Sequence, residues 1–361
     1  GWAQAAGPGD SGDVVEGGNM CRLWIVAVAL FSAFALPVRA DVINPPMVVE
    51  DNYLILITID GYRWEELFRG ADPSLVIDER YRARYVDMPD RAQALTPFLL
   101  SFAQTGALIG NQDIGSCARV SNDFWFSYPG YAEMLAGRPN PRVRYNAAIP
   151  NGDVTVLERL ARRGLSVRVF AEWETMRAIL NEERSGLSIF TTPDYDAPHD
   201  PQVVPAARAA LADPPRVLYV ALGDTDNRAH EGEYEEYLAA ASEADNFAHE
   251  IWEAYQANPR TAGRTTLIVT ADHGRGDARN DRWRGHGSGR WRGIVVPGLR
   301  HVGSEAIFMA ARGPGIVATE AYTMQNCATV SQVAATMLTS LGLLAEEGQP
   351  DMAAPLQIFA R

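Results

Sequence analysis

The stretch TTLIVTADHG, residues 265–274, decides how this chain is read. Five of the six residues Thr265–Thr270 are β-branched and none is charged. A run of this kind, without polar alternation, reads as a strand buried on both faces of a parallel sheet. It ends in Asp272-His273, an acid beside an imidazole, and then a glycine. Two other runs read the same way. YLILITI (53–59) ends in Asp60, and RVLYVAL (216–222) leads into GDTDNRAH with Asp226 and His230. SVRVFA (166–171), LSIF (187–190) and AIFMAA (306–311) are weaker strand candidates.

Helical patterns alternate with these runs. TVLERLARRG (155–164) places Leu157, Leu160 and Ala161 on one face and stops at Gly164. Residues 233–255 carry a stripe from Tyr237 to Tyr255, with acids in the first turn. VSQVAATMLTSLG (330–342) is a third. The alternation predicts an α/β fold, a mainly parallel central sheet flanked by helices on both faces in a three-layer sandwich.

Ligands of such sheets gather outside the carboxyl ends of the strands. A single Asp after a strand is ordinarily a cap or turn residue. Here three strands deliver Asp60, Asp226 and Asp272 to one edge, and two of them add His230 and His273. Carboxylates and neutral imidazoles in that number point to divalent metal ions. His286 in RWRGHGSG joins them, with glycines on both sides that permit close backbone approach. An oxygen nucleophile would complete two metal sites. In NDFWFSYPGYAEMLAG (122–137), Ser127 precedes Pro129 at the start of a predicted helix. A helix N-terminus favours an anion there.

Composition narrows the chemistry. The chain has 361 residues, 47% hydrophobic and 21% charged, and all 32 basic residues are arginine. Without lysine there is no Schiff-base chemistry and no phosphate-loop lysine. The net charge of −13 and the sequence pI near 5.0 argue against a nucleic-acid coat and against binding to anionic membranes. Residues 20–40, MCRLWIVAVALFSAFALPVRA, read as a secretory signal peptide, so the expected location is periplasmic or secreted, with no membrane span after its removal. Residues 1–19 read as a misassigned upstream segment, leaving a single domain over 41–361. Cys117 and Cys327 remain in that domain, either as a disulfide or as buried thiols.

These motifs resemble the alkaline phosphatase superfamily, and within it the nucleotide pyrophosphatase/phosphodiesterase branch. IDGYR, SYPGY, Asp226 with His230, Asp272-His273-Gly274 and His286-Gly287 stand in the order of that family's motifs. The resemblance covers roughly residues 50–345. It implies two zinc ions, one held by Asp226, His230 and His286 and the other by Asp60, Ser127, Asp272 and His273. Manganese or iron is the alternative for the second ion. It also implies Ser127 as the nucleophile of a phospho-enzyme and Asn146 as a phosphate-oxygen donor. The chain departs from the family where Gly130-Tyr131 replaces the usual Asn-His after Pro129.

The leading expectation is a two-metal hydrolase of small phosphate esters, diesters first, with no nucleic-acid coat function. Phosphomonoesters and phosphonates are alternatives on the same scaffold. A sulfatase is a further one, although its motif needs arginine where Tyr131 stands. A catalytically inactive metal-binding protein is the alternative of a different class. Among the remaining residues, His199 and His301 are expected at the surface and His249 in a structural role. Arg275, Arg282 and Arg284 either hold phosphate or belong to a solvated loop, and Trp125, Phe126 and Tyr131 line a pocket or the core.

Overall fold

Three uninterrupted apolar runs lie side by side at the centre of the molecule, as a parallel sheet requires. The computed structural model describes residues 51–192, 202–291 and 294–360, apart from the side chains of 291, 297 and 345. The strands are β1 (Tyr53–Ile59), β2 (Ala107–Ile109), β3 (Ala118–Arg119), β4 (Val167–Ala171), β5 (Ser188–Thr191), β6 (Val217–Leu222), β7 (Thr265–Thr270), β8 (Ser288–Trp291), β9 (Ile294–Arg300), β10 (Met309–Arg312) and β11 (Ala328–Thr329). Seven form the central sheet in the order β2-β10-β7-β1-β6-β4-β5. Its middle is parallel, and β10 runs antiparallel to both β7 and β2. Every residue of β1, β6 and β7 is buried.

The expected α/β sheet is therefore present, with two differences. The candidate 306–311 contributes only its end, as β10, and β2 is an edge strand of three residues. Both need the tertiary pairing to be seen, because three apolar residues have no readable period. The helices used below are α1 (Trp64–Arg69), α2 (Ser127–Ala136), α3 (Val156–Arg162), α4 (Val203–Ala210), α5 (Asp224–Glu231), α6 (Tyr234–Ala257) and α7 (Gln332–Ser340). Val48–Arg361 forms one compact unit around a single apolar core. The expected signal peptide, the segment 1–19 and His199 lie outside the described residues.

Register aligns the ends of the strands. Ile59 pairs with Leu222, and Thr58 pairs with Thr270. The residues that follow, Asp60, Gly223 and Ala271-Asp272, leave the sheet at one level, and the Asp60 N–H donates to Leu222 O at 2.9 Å. A short parallel pair, β3 with β11, stands apart from the main sheet and is clipped by the disulfide Cys117–Cys327 across 210 residues.

Candidate metal centre

Asp60 follows β1 directly, and Gly61 turns the chain with φ near +59°. A Cβ at Gly61 would stand 2.7 Å from both Arg275 Nη1 and Asp226 Oδ1, so the glycine is required for close approach as well as for the turn. Asp226 and His230 sit one turn apart on α5, and His230 Nε2 lies 3.2 Å from Asp226 Oδ2. Asp272 and His273 follow β7 and are fully buried. His286 arrives from the segment before β8. The structure brings all six predicted acid and histidine residues to one place. Asp60, Asp272 and His273 offer ligand atoms within 4.8 Å of one another, and so do Asp226, His273 and His286. His273 thus stands between the two groups, its ring stacked on that of His286 at 3.9 Å. The family resemblance implies a place in one group alone.

Ser127 opens α2 and is buried, with its Oγ 3.1 Å from His273 Nε2. Trp125, two residues upstream, is held at φ +60°. A bulky residue in that left-handed region is strained, and such strain persists only where neighbours over-determine the backbone. The neighbours are identifiable: Asn122 Oδ1 accepts from the N–H groups of both Phe124 and Trp125. Asn146 lies at the same helix start, where its Oδ1 accepts the Tyr128 N–H at 2.9 Å. Its Nδ2 group remains available to donate.

Two of the three histidines have their tautomer set from behind. His273 Nδ1 lies 2.9 Å from Gly274 O, and His286 Nδ1 lies 3.0 Å from Trp125 O. A carbonyl only accepts, so both Nδ1 atoms carry the proton and both Nε2 lone pairs face the cluster.

The cluster is unsatisfied as it stands, which tests whether cations fit it. Asp60 Oδ1 and Asp272 Oδ2 are buried without a hydrogen-bond partner. The group approaching both is His273 Nε2, at 3.3 and 3.4 Å, itself a lone-pair nitrogen. His230 Nε2 and His286 Nε2 converge to 3.1 Å. Two nitrogens on one tetrahedral zinc, with bonds of about 2.0–2.1 Å, stand roughly 3.3 Å apart. Burial, reinforced by the charges of Asp272 and Asp226, pushes the Asp60 carboxyl well above the carboxylate range, and burial raises Asp272 too. Burial opposes ionisation of Asp226, yet the Arg275 guanidinium and His230 hold it well below. Burial, with His273 alongside, keeps His286 well below the usual imidazole value. Acids that are hard to ionise together and neutral imidazoles aimed inward are what divalent cations relieve. The residues fit the metal centre.

Residues around the cluster support it, and of these Arg63 and Glu66 carry no signal in the sequence. Tyr131 donates its hydroxyl to Asp60 Oδ2 at 3.0 Å and is buried, so it belongs to the core behind the site. Arg63 donates to Gly276 O and pairs with buried Glu66 at 3.0 Å, tying the turn after β1 to the segment after β7. Arg275, proposed as a phosphate holder, is buried and committed: it pairs with Asp226 and donates to Trp283 O and Arg284 O. Arg282 donates to Arg300 O, and Arg284 is exposed. His301 is half-buried beside Arg282 O, not at the surface, and His249 stacks on Phe98 at 4.6 Å.

The sequence profile of one family, described as type I phosphodiesterase / nucleotide pyrophosphatase, matches residues 118–353. The match takes in every site residue except Asp60. No curated protein matches the sequence. Solved structures of similar fold include a Bacteroides thetaiotaomicron protein from work on the metabolism of multiple glycosaminoglycans, 14% identical over 85% of this chain and 76% of that one, with a TM-score of 0.53. The lipoteichoic acid synthase LtaP of Listeria monocytogenes is 11% identical over 83% of this chain and 74% of its own, with a TM-score of 0.51. At these identities the likeness is one of fold.

Proposed function

Because the chain belongs to the type I phosphodiesterase / nucleotide pyrophosphatase family, within the alkaline phosphatase superfamily, we propose that it is an exported two-metal hydrolase acting on small phosphodiesters, with Ser127 as nucleophile. The observation that carries this reading is the convergence of buried Asp60 and Asp272, half-buried Asp226 and three histidines in one cluster, with Ser127 Oγ beside His273 Nε2 and two carboxylate oxygens left without a donor. Asp226, His230 and His286 would hold one ion, and Asp60, Ser127, Asp272 and His273 the other, with zinc as the metal that suits this donor set. When bound, the ions neutralise the carboxylates, polarise the phosphoryl oxygens and lower the pKa of the Ser127 hydroxyl.

The residues of the chain do the rest. The start of α2 holds Ser127 Oγ beside His273 Nε2, and the dipole of the helix favours an anion there, although the Tyr128 N–H is taken by Asn146 and Pro129 has none. Asn146 Nδ2 donates to a phosphoryl oxygen. Oγ attacks phosphorus and gives up its proton to solvent, the bond to the leaving alcohol breaks and its oxygen takes up a proton, and water then cleaves the seryl phosphodiester to release a phosphomonoester and restore Ser127. Arg275 is buried and anchored through all three of its nitrogens, by Asp226 and two carbonyls, so it is not free to swing onto the extra charge of a monoester. That favours diesters. Tyr131, bonded to Asp60, stands where a sulfatase needs arginine. The disulfide Cys117–Cys327 supports export, since such bonds persist in oxidising compartments.

The test is zinc-loaded Val48–Arg361 assayed side by side on bis-p-nitrophenyl phosphate and p-nitrophenyl phosphate, comparing kcat/KM. A diester preference that disappears in a folded Ser127→Ala variant is expected. Turnover unchanged in that variant removes Ser127 from the reaction. A monoester preference makes the protein a phosphatase.

A further inference from the structure

Among the described residues, twelve large apolar side chains are exposed, and six of them fall in two short stretches. Tyr145 and Ile149 are in one, and Ile294, Val295, Leu299 and Val302 are in the other, with Ile294 64% and Leu299 60% exposed. Both stretches are fastened beside Ser127. Tyr128 donates its N–H to Asn146 and its hydroxyl to Ile149 O. The β8–β9 ribbon is rooted at His286, and Ser288 N–H donates to Phe124 O. One stretch thus holds the residue after the nucleophile, and the other holds the backbone just before it.

The same stretches are cationic. Residues 141–150 and 282–302 hold seven arginines and no acid, which leaves 25 arginines against 45 acids elsewhere, net −20. Arg142, Arg144, Arg290 and Arg300 are exposed, and Arg290 has only a loose pairing with Asp123 at 3.7 Å. The negative net charge of the whole chain therefore comes from outside these two stretches.

We propose that this rim docks the protein on an anionic phospholipid bilayer, with the Ser127 site at the contact. The argument is one of complementarity. Aliphatic side chains interleaved with arginines suit the boundary between headgroups and acyl chains. Single-stranded nucleic acid is bound on stacked aromatic platforms, and the rim's exposed side chains are mainly aliphatic. A two-fold pairing of copies through this patch would set like charges opposite each other. Membrane charge acts over a Debye length, so the local arginines outweigh distant acids.

The test is co-sedimentation of Val48–Arg361, which carries the whole core and omits the apolar run 23–36, with two kinds of vesicle. One is equimolar phosphatidylcholine and phosphatidylglycerol, and the other is phosphatidylcholine alone. Binding to the anionic vesicles that weakens with salt is expected. Arg142→Gln with Arg144→Gln should weaken it by about fivefold per arginine. Ile294→Ser with Leu299→Ser should weaken it as well, whereas Ile77→Ser, at an exposed site elsewhere, should not. Unfolding temperatures equal to the parent's keep loss of binding distinct from loss of fold. Repeating the measurement on Ser127→Ala, without substrate, separates docking from the catalytic reading. Equal affinity for both vesicles, no binding, or equal loss in Ile77→Ser would overturn the proposal. So would a concentration-dependent dimer abolished by the Ile294/Leu299 pair, or preferential binding of single-stranded nucleic acid.

Discussion

Glu133 holds Asn122 twice, accepting its backbone N–H at 2.8 Å and its side-chain Nδ2 at 2.9 Å. The same buried carboxylate accepts from Ser121 N–H and from Ser331 Oγ at the entry to α7. Asn122 in turn fixes the strained backbone of Trp125, whose carbonyl sets the tautomer of His286. One acid on the nucleophile helix therefore reaches a metal-type histidine through two residues, Asn122 and Trp125.

Replacing Glu133 by Gln puts an NH2 group where the carboxylate accepts from backbone N–H groups and two serine hydroxyls. A cost of about 3 kcal/mol in urea unfolding is expected, since it breaks a buried, fully satisfied network. Asn122→Ala should act more locally. Residues that orient a metal ligand typically contribute 10–100-fold to affinity, so a zinc dissociation constant raised by about that factor in chelator competition is expected. Zinc affinity equal to the parent's in Asn122→Ala would break the chain from Glu133 to His286.

The strands that carry Asp60, Asp226 and Asp272 were legible because a strand buried on both faces must be apolar throughout, and an acid at its end is then conspicuous. His286 and Ser127 were legible from local signals, glycines around one and a proline after the other. The supporting residues were not. Arg63 and Tyr131 act through contacts 213 and 71 residues away in sequence, and Glu133 and Asn122 through a loop that folds back on its own helix and onto Ser331, none of which a local pattern marks. Arg275 illustrates the limit: an arginine beside metal ligands suggests phosphate, but only its burial and its three acceptors show it committed to the protein. The antiparallel β10 and the three-residue β2 were hidden for the same reason.

Asp60 should have opposite effects with and without metal. Its carboxyl is buried beside Asp272 and Asp226, so in chelator it is a liability. Asp60→Asn should raise the stability of the metal-free protein by roughly 1–2 kcal/mol. With zinc in excess the order should reverse, because the parent gains binding free energy, about 4 kcal/mol at a thousand times the dissociation constant. Thermal unfolding in the two buffers reads both signs. The same order in both would remove Asp60 from the metal centre.

Gly130 explains the departure from the family's Asn-His. A Cβ there would run into the carbonyl oxygen of Asp272 and stand 2.9 Å from its carbon, and neither backbone atom can move aside. Gly→Ala inside a helix ordinarily gains about 1 kcal/mol. Overpacking against fixed backbone costs about 3 kcal/mol, so the clash wins. Gly130→Ala should be destabilised by about 2 kcal/mol and lose most turnover through displacement of Asp272. A stabilised variant in denaturant titration would show that α2 does not press on that carbonyl.

Asp245 supplies a pH dependence far from the metal residues. Its buried carboxylate on α6 caps the helix Pro97–Leu100, accepting the N–H groups of Phe98 at 3.0 Å and Leu99 at 2.8 Å. Burial raises its pKa from 3.8 to about 6, although those two N–H groups and His249 pull the other way. The folded state therefore holds this proton more tightly than the unfolded chain does. Its contribution to stability is full below about pH 4 and is lost as the pH rises to about 6. Two units correspond to about 3 kcal/mol. Asp245→Asn cannot ionise, so the stability of the parent relative to this variant should fall by about that amount between those two pH values. Chemical denaturation of both proteins across the range measures the difference. A gap that stays flat, or that widens in favour of the parent as the pH rises, would mean the two backbone donors outweigh burial and keep Asp245 ionised throughout.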